Sequence, residues 1–145
     1  MPDDQQIFID TNIWVYLFAS SQDAEDQRKK ETAKQILLDC PDIVVSSQVL
    51  NELSNVWLRK YHLELPQIEK YLRKILEIAE VRFLDETLTF RALELLQTCN
   101  LSFYDSLIVA SALDSRCKVL FSEDMQHGQW IENSLQIRNP FVEDE

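Results

Sequence analysis

Four short apolar runs, at positions 7–9, 43–45, 81–84 and 117–121, are separated by longer stretches in which apolar residues recur at helical spacing. Runs rich in Ile, Val and Phe read as buried strands, and the spaced stretches read as amphipathic helices. Strands that alternate with helices pair through crossovers, which gives a central, mainly parallel sheet with helices on both faces. The alternation therefore predicts an α/β fold. A further run at 135–137 reads as an added edge strand before Asn139-Pro140.

The first run fixes the geometry of greatest interest. Ile7-Phe8-Ile9 gives way to Asp10, then to Thr11 and Asn12, then to the amphipathic segment Trp14-Val15-Tyr16-Leu17-Phe18. The strand should stop at Asp10, with Thr11 or Asn12 capping a helix. Asp10 then lies at the carboxyl end of a central strand, the edge at which open α/β sheets bind ligands. Further helices are expected at 29–39, 48–61, 65–79, 86–99 and 103–115, after a loop at 20–28. Ser46 or Ser47, Asp85 and Ser102 are the expected caps, and Pro66 suits a first helical turn.

Composition narrows the function. A chain of 145 residues with 46% hydrophobic content can bury a core of its own, and nothing in it resembles a linker or a repeat, so one domain over 1–145 is expected. No apolar run approaches the roughly 20 residues that span a bilayer. The first six residues are too polar for a signal peptide. Cys40, Cys99 and Cys117 form neither a disulfide framework nor a CxxC site, and read as reduced thiols of a cytoplasmic protein. With only His62 and His127 as histidines, a zinc site is not expected. The sole glycine, Gly128, excludes a P-loop and a GxGxxG fingerprint, and no serine lies in a GxSxG elbow. The net charge of −11 opposes broad phosphate binding. It suits a basic partner segment or an acidic cation site.

Four carboxylates stand out of place. Asp10 ends the first strand, although a helix cap or Asx-turn explains it equally well. Glu52 lies beside Val49 and Val56 at the margin of an apolar stripe, where a boundary glutamate is also ordinary. Asp105 shares a helix face with Ile108, Val109 and Ala112. A capping box with Ser102 accounts for its spacing but not for its apolar neighbours. Asp124 follows the fourth strand, where a turn residue is equally natural and Glu123 could take its role. If all four share one sheet edge, each close pair repels by roughly 4 kcal/mol at an effective dielectric near 20. A divalent cation relieves that repulsion, and oxygen-only ligands select hard ions such as Mg²⁺ or Mn²⁺.

Four segments carry a family resemblance: Phe8-Ile9-Asp10-Thr11-Asn12, Val49-Leu50-Asn51-Glu52-Leu53, Tyr104-Asp105-Ser106-Leu107-Ile108-Val109-Ala110 and Leu120-Phe121-Ser122-Glu123-Asp124-Met125. In order and spacing they resemble the acidic motifs of the PIN-domain ribonucleases, in particular the VapC-like toxins of toxin–antitoxin pairs. The resemblance covers nearly the whole chain. It implies a three-layer α/β/α PIN-like domain that cleaves RNA with Mg²⁺ or Mn²⁺. It places Asp10, Glu52, Asp105 and Asp124 at the metal-binding positions, Ser122 at a hydroxyl position and Asn12 at a polar position after the first acid. The chain departs at Phe121-Ser122, where many members carry Thr. A cognate antitoxin and a homodimer are the implied partners.

Basic residues cluster at Arg28-Lys29-Lys30-Lys34, Arg59-Lys60 and Arg73-Lys74, each readable as a solvated helix face or as a phosphate contact. His127 reads as a surface-loop residue or as a group that orients water or phosphate. Two rival readings remain. Another Mg²⁺-dependent phosphohydrolase of the aspartyl-phosphate type wants a second acid two residues after the nucleophile, where this chain has Asn12. A non-catalytic PIN-like interaction module has no need of all four acids.

Overall fold

The computed structural model describes residues 5–142. In chain order the elements are β1 (Ile7–Ile9), α1 (Thr11–Phe18), α2 (Ala24–Asp39), β2 (Ile43–Ser46), α3 (Ser47–Arg59), α4 (Leu65–Ile78), β3 (Ala79–Arg82), α5 (Glu86–Thr98), α6 (Phe103–Asp114), β4 (Val119–Phe121), β5 (Trp130–Ile131) and β6 (Leu135–Arg138). One six-stranded sheet runs in the order β3-β2-β1-β4-β6-β5. Every pairing is parallel except that of β5 with β6.

The topology positions the site. From β1 the chain builds outward through β2 to β3, then returns across the sheet to place β4 on the other flank of β1. Right-handed crossovers put α1 to α4 on one face during the outward run and α5 and α6 on the opposite face during the return. The packing agrees: α1 meets α2 and α3, α3 meets α4, and α5 meets α6. The result is the expected three-layer α/β/α arrangement. The strand order reverses between β1 and β4, and the crevice outside their carboxyl ends is the natural ligand site of such a sheet.

Burial follows the residue types. Ile7, Phe8 and Ile9 are buried, as are Val44, Val45 and Leu120 on the neighbouring strands. Helix α6 is buried on seven successive residues from Ser106 to Ala112, as expected of an apolar helix enclosed on both sides. Cys40, Cys99 and Cys117 are all free thiols. Burial of Cys117 pushes its pKa up to about 12 and leaves it unreactive. No helix among the described residues is long and apolar enough to cross a membrane.

Several boundaries differ from the sequence-based expectation. The cap of α1 is Asp10, as the alternative reading of that residue had it, rather than Thr11 or Asn12: its carboxylate accepts from Thr11 N. Helix α2 begins at Ala24, not 29, because Asp23 caps it and Glu25 and Asp26 favour its first turn. Strand β3 starts two residues early, at Ala79, so Leu84 lies beyond it. The run at 135–137 forms an interior strand, since β5 pairs outside it. That hairpin turns through Glu132 and Asn133, at φ 52° and 58°, the backbone signature of a type I′ turn.

Candidate active site at the carboxyl edge of the sheet

Asp10 lies at the centre of this edge. It is only 8% exposed, because β1 carries it to the mouth of the crevice between two flanking strands. One carboxylate oxygen accepts from Thr11 N at 2.7 Å, and the other accepts from Ser122 Oγ at 3.0 Å. Ser122 is fully buried just beyond β4, and its oxygen also accepts from the N–H groups of Asp124 and Met125. This one hydroxyl therefore ties the end of β4 to the end of β1 and shapes the turn that presents Asp124.

The other predicted residues converge on the same edge. Asn12, in the first turn of α1, donates to Asp124 at 3.1 Å. Glu52, in the second turn of α3, is held by two donors: Thr11 Oγ1 at 2.6 Å and Gln48 Nε2 at 3.3 Å. Asp105 occupies the third position of α6, where Ser102 Oγ accepts from its N–H at 3.1 Å. The expected cap at Ser102 is thus present, and Asp105 faces the other acids as well.

Electrostatics reports the convergence directly. The Asp10 carboxyl is pushed up to about 6, first by burial and then by the charges of Glu52 and Asp105, against hydrogen bonds from Thr11 and Ser122 that lower it. Burial also raises Asp105, helped by Asp124 and Glu52. Burial raises Asp124 too, with Glu123 and Glu52 adding to it and Asn12 opposing. Among the described residues, none of the ion pairs involves Asp10, Glu52, Asp105 or Asp124.

Glu123 is not interchangeable with Asp124. Its carboxylate accepts from Lys29 Nζ at 2.7 Å and from Tyr16 OH at 3.0 Å. The Lys29 ammonium also lies 4.7 Å from the centre of the Tyr16 ring and 5.3 Å from that of Phe141. Lys29 therefore serves as an internal anchor rather than as a solvated helix face or a phosphate contact. Arg59 and Lys60 remain exposed, but they lie two turns down α3 from Glu52, at the end remote from β2. Trp14 is buried in the core, with its indole N–H bonded to Ile9 O. His127 Nδ1 accepts from Asn139 N, which fastens the loop after β4.

Donor chemistry fits a hard divalent cation: oxygen ligands only, mutually repelling and without a basic counter-charge. The carboxylates do not stand as a finished cage, however. Among the described residues, no three His, Cys, Asp or Glu side chains are drawn close enough to hold an ion as they are. Glu52 is held by Thr11 and Gln48, and Asp124 by Asn12. The sequence reading missed Thr11 and Gln48 as members of the site. Thr11 follows Asp10 directly, and Gln48 precedes Glu52 by one helical turn, so helical spacing from the known acid was the available signal.

Comparison with known proteins places this geometry. No curated protein matches the chain. Among solved structures, a toxin–antitoxin complex from Klebsiella pneumoniae is similar at 24% identity with a TM-score of 0.68, covering 93% of this chain and 98% of that one. Mycobacterium tuberculosis VapC20, described as a sarcin–ricin loop cleaving toxin, is similar at 23% identity and a TM-score of 0.65, over 81% and 91% of the two chains. VapBC2 from Rickettsia felis, solved with a DNA fragment from its promoter, is similar at 21% identity and a TM-score of 0.62, over 93% and 100%. These likenesses carry the fold. A family model, that of the PIN domain, matches residues 7–129. With that match spanning most of the sequence, and the acidic edge where the fold places its ligand crevice, the chain belongs to the PIN-domain family.

Proposed function

We propose that this protein is a Mg²⁺- or Mn²⁺-dependent endoribonuclease and the toxin of a toxin–antitoxin pair. The observation that carries the reading is the convergence of Asp10, Glu52, Asp105 and Asp124 at one sheet edge, where Thr11 joins Asp10 to Glu52, Ser122 joins Asp10 to the turn of Asp124, and Asn12 holds Asp124. A cap at Asp10 and a first-turn place for Asp105 explain those residues singly, but not why four carboxylates from four separate segments gather at one edge without a basic partner. A cation there explains the gathering.

A bound divalent ion would supply an acidified water and neutralise charge on the scissile phosphate. The protein's own groups do the rest. Asp10, fixed by Thr11 N and Ser122 Oγ, offers the most rigid oxygen donors. Asp105 faces it from α6, and Asp124 lies on the turn after β4 that Ser122 shapes. Asn12 steers Asp124 and competes with the ion for its oxygens. Glu52 completes the ligand set or accepts the proton of the attacking water.

The toxin role draws on the VapC20 and toxin–antitoxin relatives. A protein that covers this edge with a basic side chain would silence it, so an antitoxin bearing an Arg for the acidic crevice is the expected partner. A symmetric homodimer is the expected assembly. The test is cleavage of single-stranded RNA with Mg²⁺, with and without EDTA, by the wild type and by Asp10→Asn. Cleavage that needs both the metal and Asp10 supports the proposal. Equal cleavage by both proteins, or by neither, removes it and favours a non-catalytic interaction module.

A further inference from the structure

Gln48 stands between two of the acids and belongs to none of the motifs singled out in the sequence. It is 6% exposed, one turn before Glu52 on α3. Its amide nitrogen donates to Glu52 Oε2 at 3.3 Å and to the carbonyl of Tyr104 at 3.2 Å. Tyr104 immediately precedes Asp105 in the first turn of α6. The two amide hydrogens thus match two acceptors on different helices, one a carboxylate of the site and the other the backbone next to a carboxylate of the site. The amide oxygen is buried with no hydrogen-bond partner among the described residues. An unpaired buried oxygen is a net cost that Met or Leu of similar length would not carry. A residue selected for packing alone would not be Gln.

We propose that Gln48 is a positioning residue that sets the separation and orientation of Glu52 and Asp105 for the cation. The inference rests on the metal-nuclease reading above. Thr11 Oγ1 holds the other oxygen of Glu52 at 2.6 Å, so the carboxylate is clamped at both ends and Gln48 supplies the clamp that reaches α6. Groups of this kind, which orient a ligand without touching the ion, alter metal affinity when they are removed.

The test is Mn²⁺ affinity, measured by electron paramagnetic resonance without substrate, together with the thermal midpoint in EDTA. Gln48→Met is expected to bind Mn²⁺ roughly ten- to hundred-fold more weakly while its midpoint in EDTA is unchanged or higher. In the Glu52→Gln background, Gln48→Met should cost less affinity than it does in the wild type, because part of its effect runs through Glu52. Wild-type affinity in Gln48→Met, or a full additional loss in the double variant, overturns the proposal. Failure of both Gln48→Met and Gln48→Leu to fold assigns the amide a structural role and also overturns it. A wild-type chain that binds no Mn²⁺ overturns both this inference and the cation reading, whereas one that binds Mn²⁺ equally with and without Gln48 overturns this inference alone.

Discussion

Ser122 Oγ donates to Asp10 Oδ2 at 3.0 Å across 112 positions of sequence, and this bond joins the carboxyl ends of two adjacent parallel strands. The same oxygen accepts two backbone N–H groups in the turn that carries Asp124. Removal of the hydroxyl therefore affects two acids at once. Ser122→Ala should cost about 1–3 kcal/mol of stability, because it strands buried polar groups. It should also weaken Mn²⁺ binding. Chemical denaturation and metal titration of the same sample check both effects, and a variant with wild-type values in each would refute this role.

Asp10 predicts an inverted relation between stability and function. Its folded-state pKa, about 6, lies above the ordinary 3.8. Between those values the native protein holds a proton that the unfolded chain has lost, so this group's contribution to stability grows as pH falls from 7 to 4. Above pH 7 its ionisation costs about 3 kcal/mol. Asp10→Asn keeps an oxygen for Thr11 N and removes that cost. Its thermal midpoint in EDTA should exceed the wild type's at pH 7.5, at roughly 2–4 °C per kcal/mol. The two midpoints should converge near pH 4. A wild type more stable than Asp10→Asn at pH 7.5 would contradict the burial argument.

Glu123 and Asp124 are adjacent acids with separate tasks. Glu123 neutralises Lys29, and both side chains are 21% exposed. Glu123→Gln should lose about 1 kcal/mol of stability and retain RNA cleavage. Asp124→Asn should lose cleavage by at least about tenfold, with little change in the denaturation midpoint. Rescue of Asp124→Asn by its glutamate neighbour would show the two to be exchangeable after all.

Cation binding should stabilise the fold. A ligand that binds only the native state at a hundred times its Kd adds about 2.7 kcal/mol. Mg²⁺ or Mn²⁺ should therefore raise the wild-type thermal midpoint, EDTA should reverse the rise, and Asp10→Asn should show neither change. A rise of equal size in both proteins would indicate non-specific binding.

The sheet and the four acids were legible because each rests on a local signal. Apolar β-branched runs mark β1, β2 and β4, and the family motifs mark the carboxylates. Other features depend on tertiary context. Asp10 caps α1 because its carboxylate meets Thr11 N, whereas the sequence offers three small polar residues in a row. Strand β5 is two residues long, and its turn takes positive φ at Glu132 and Asn133, so no glycine announces the hairpin. Glu123 could be separated from Asp124 only once Lys29, on a distant helix, was seen beside it. Gln48 carries no acidic label and enters the site through its hydrogen bonds to Glu52 and the Tyr104 carbonyl.

The central claim is that acids from four segments meet on one hard cation. Diffraction from crystals grown with Mn²⁺, recorded at the manganese absorption edge, tests it without reference to any substrate. The account predicts an anomalous peak bounded by carboxylate oxygens of Asp10 and of at least two among Glu52, Asp105 and Asp124. A manganese peak elsewhere on the molecule, with that crevice holding none, would contradict it.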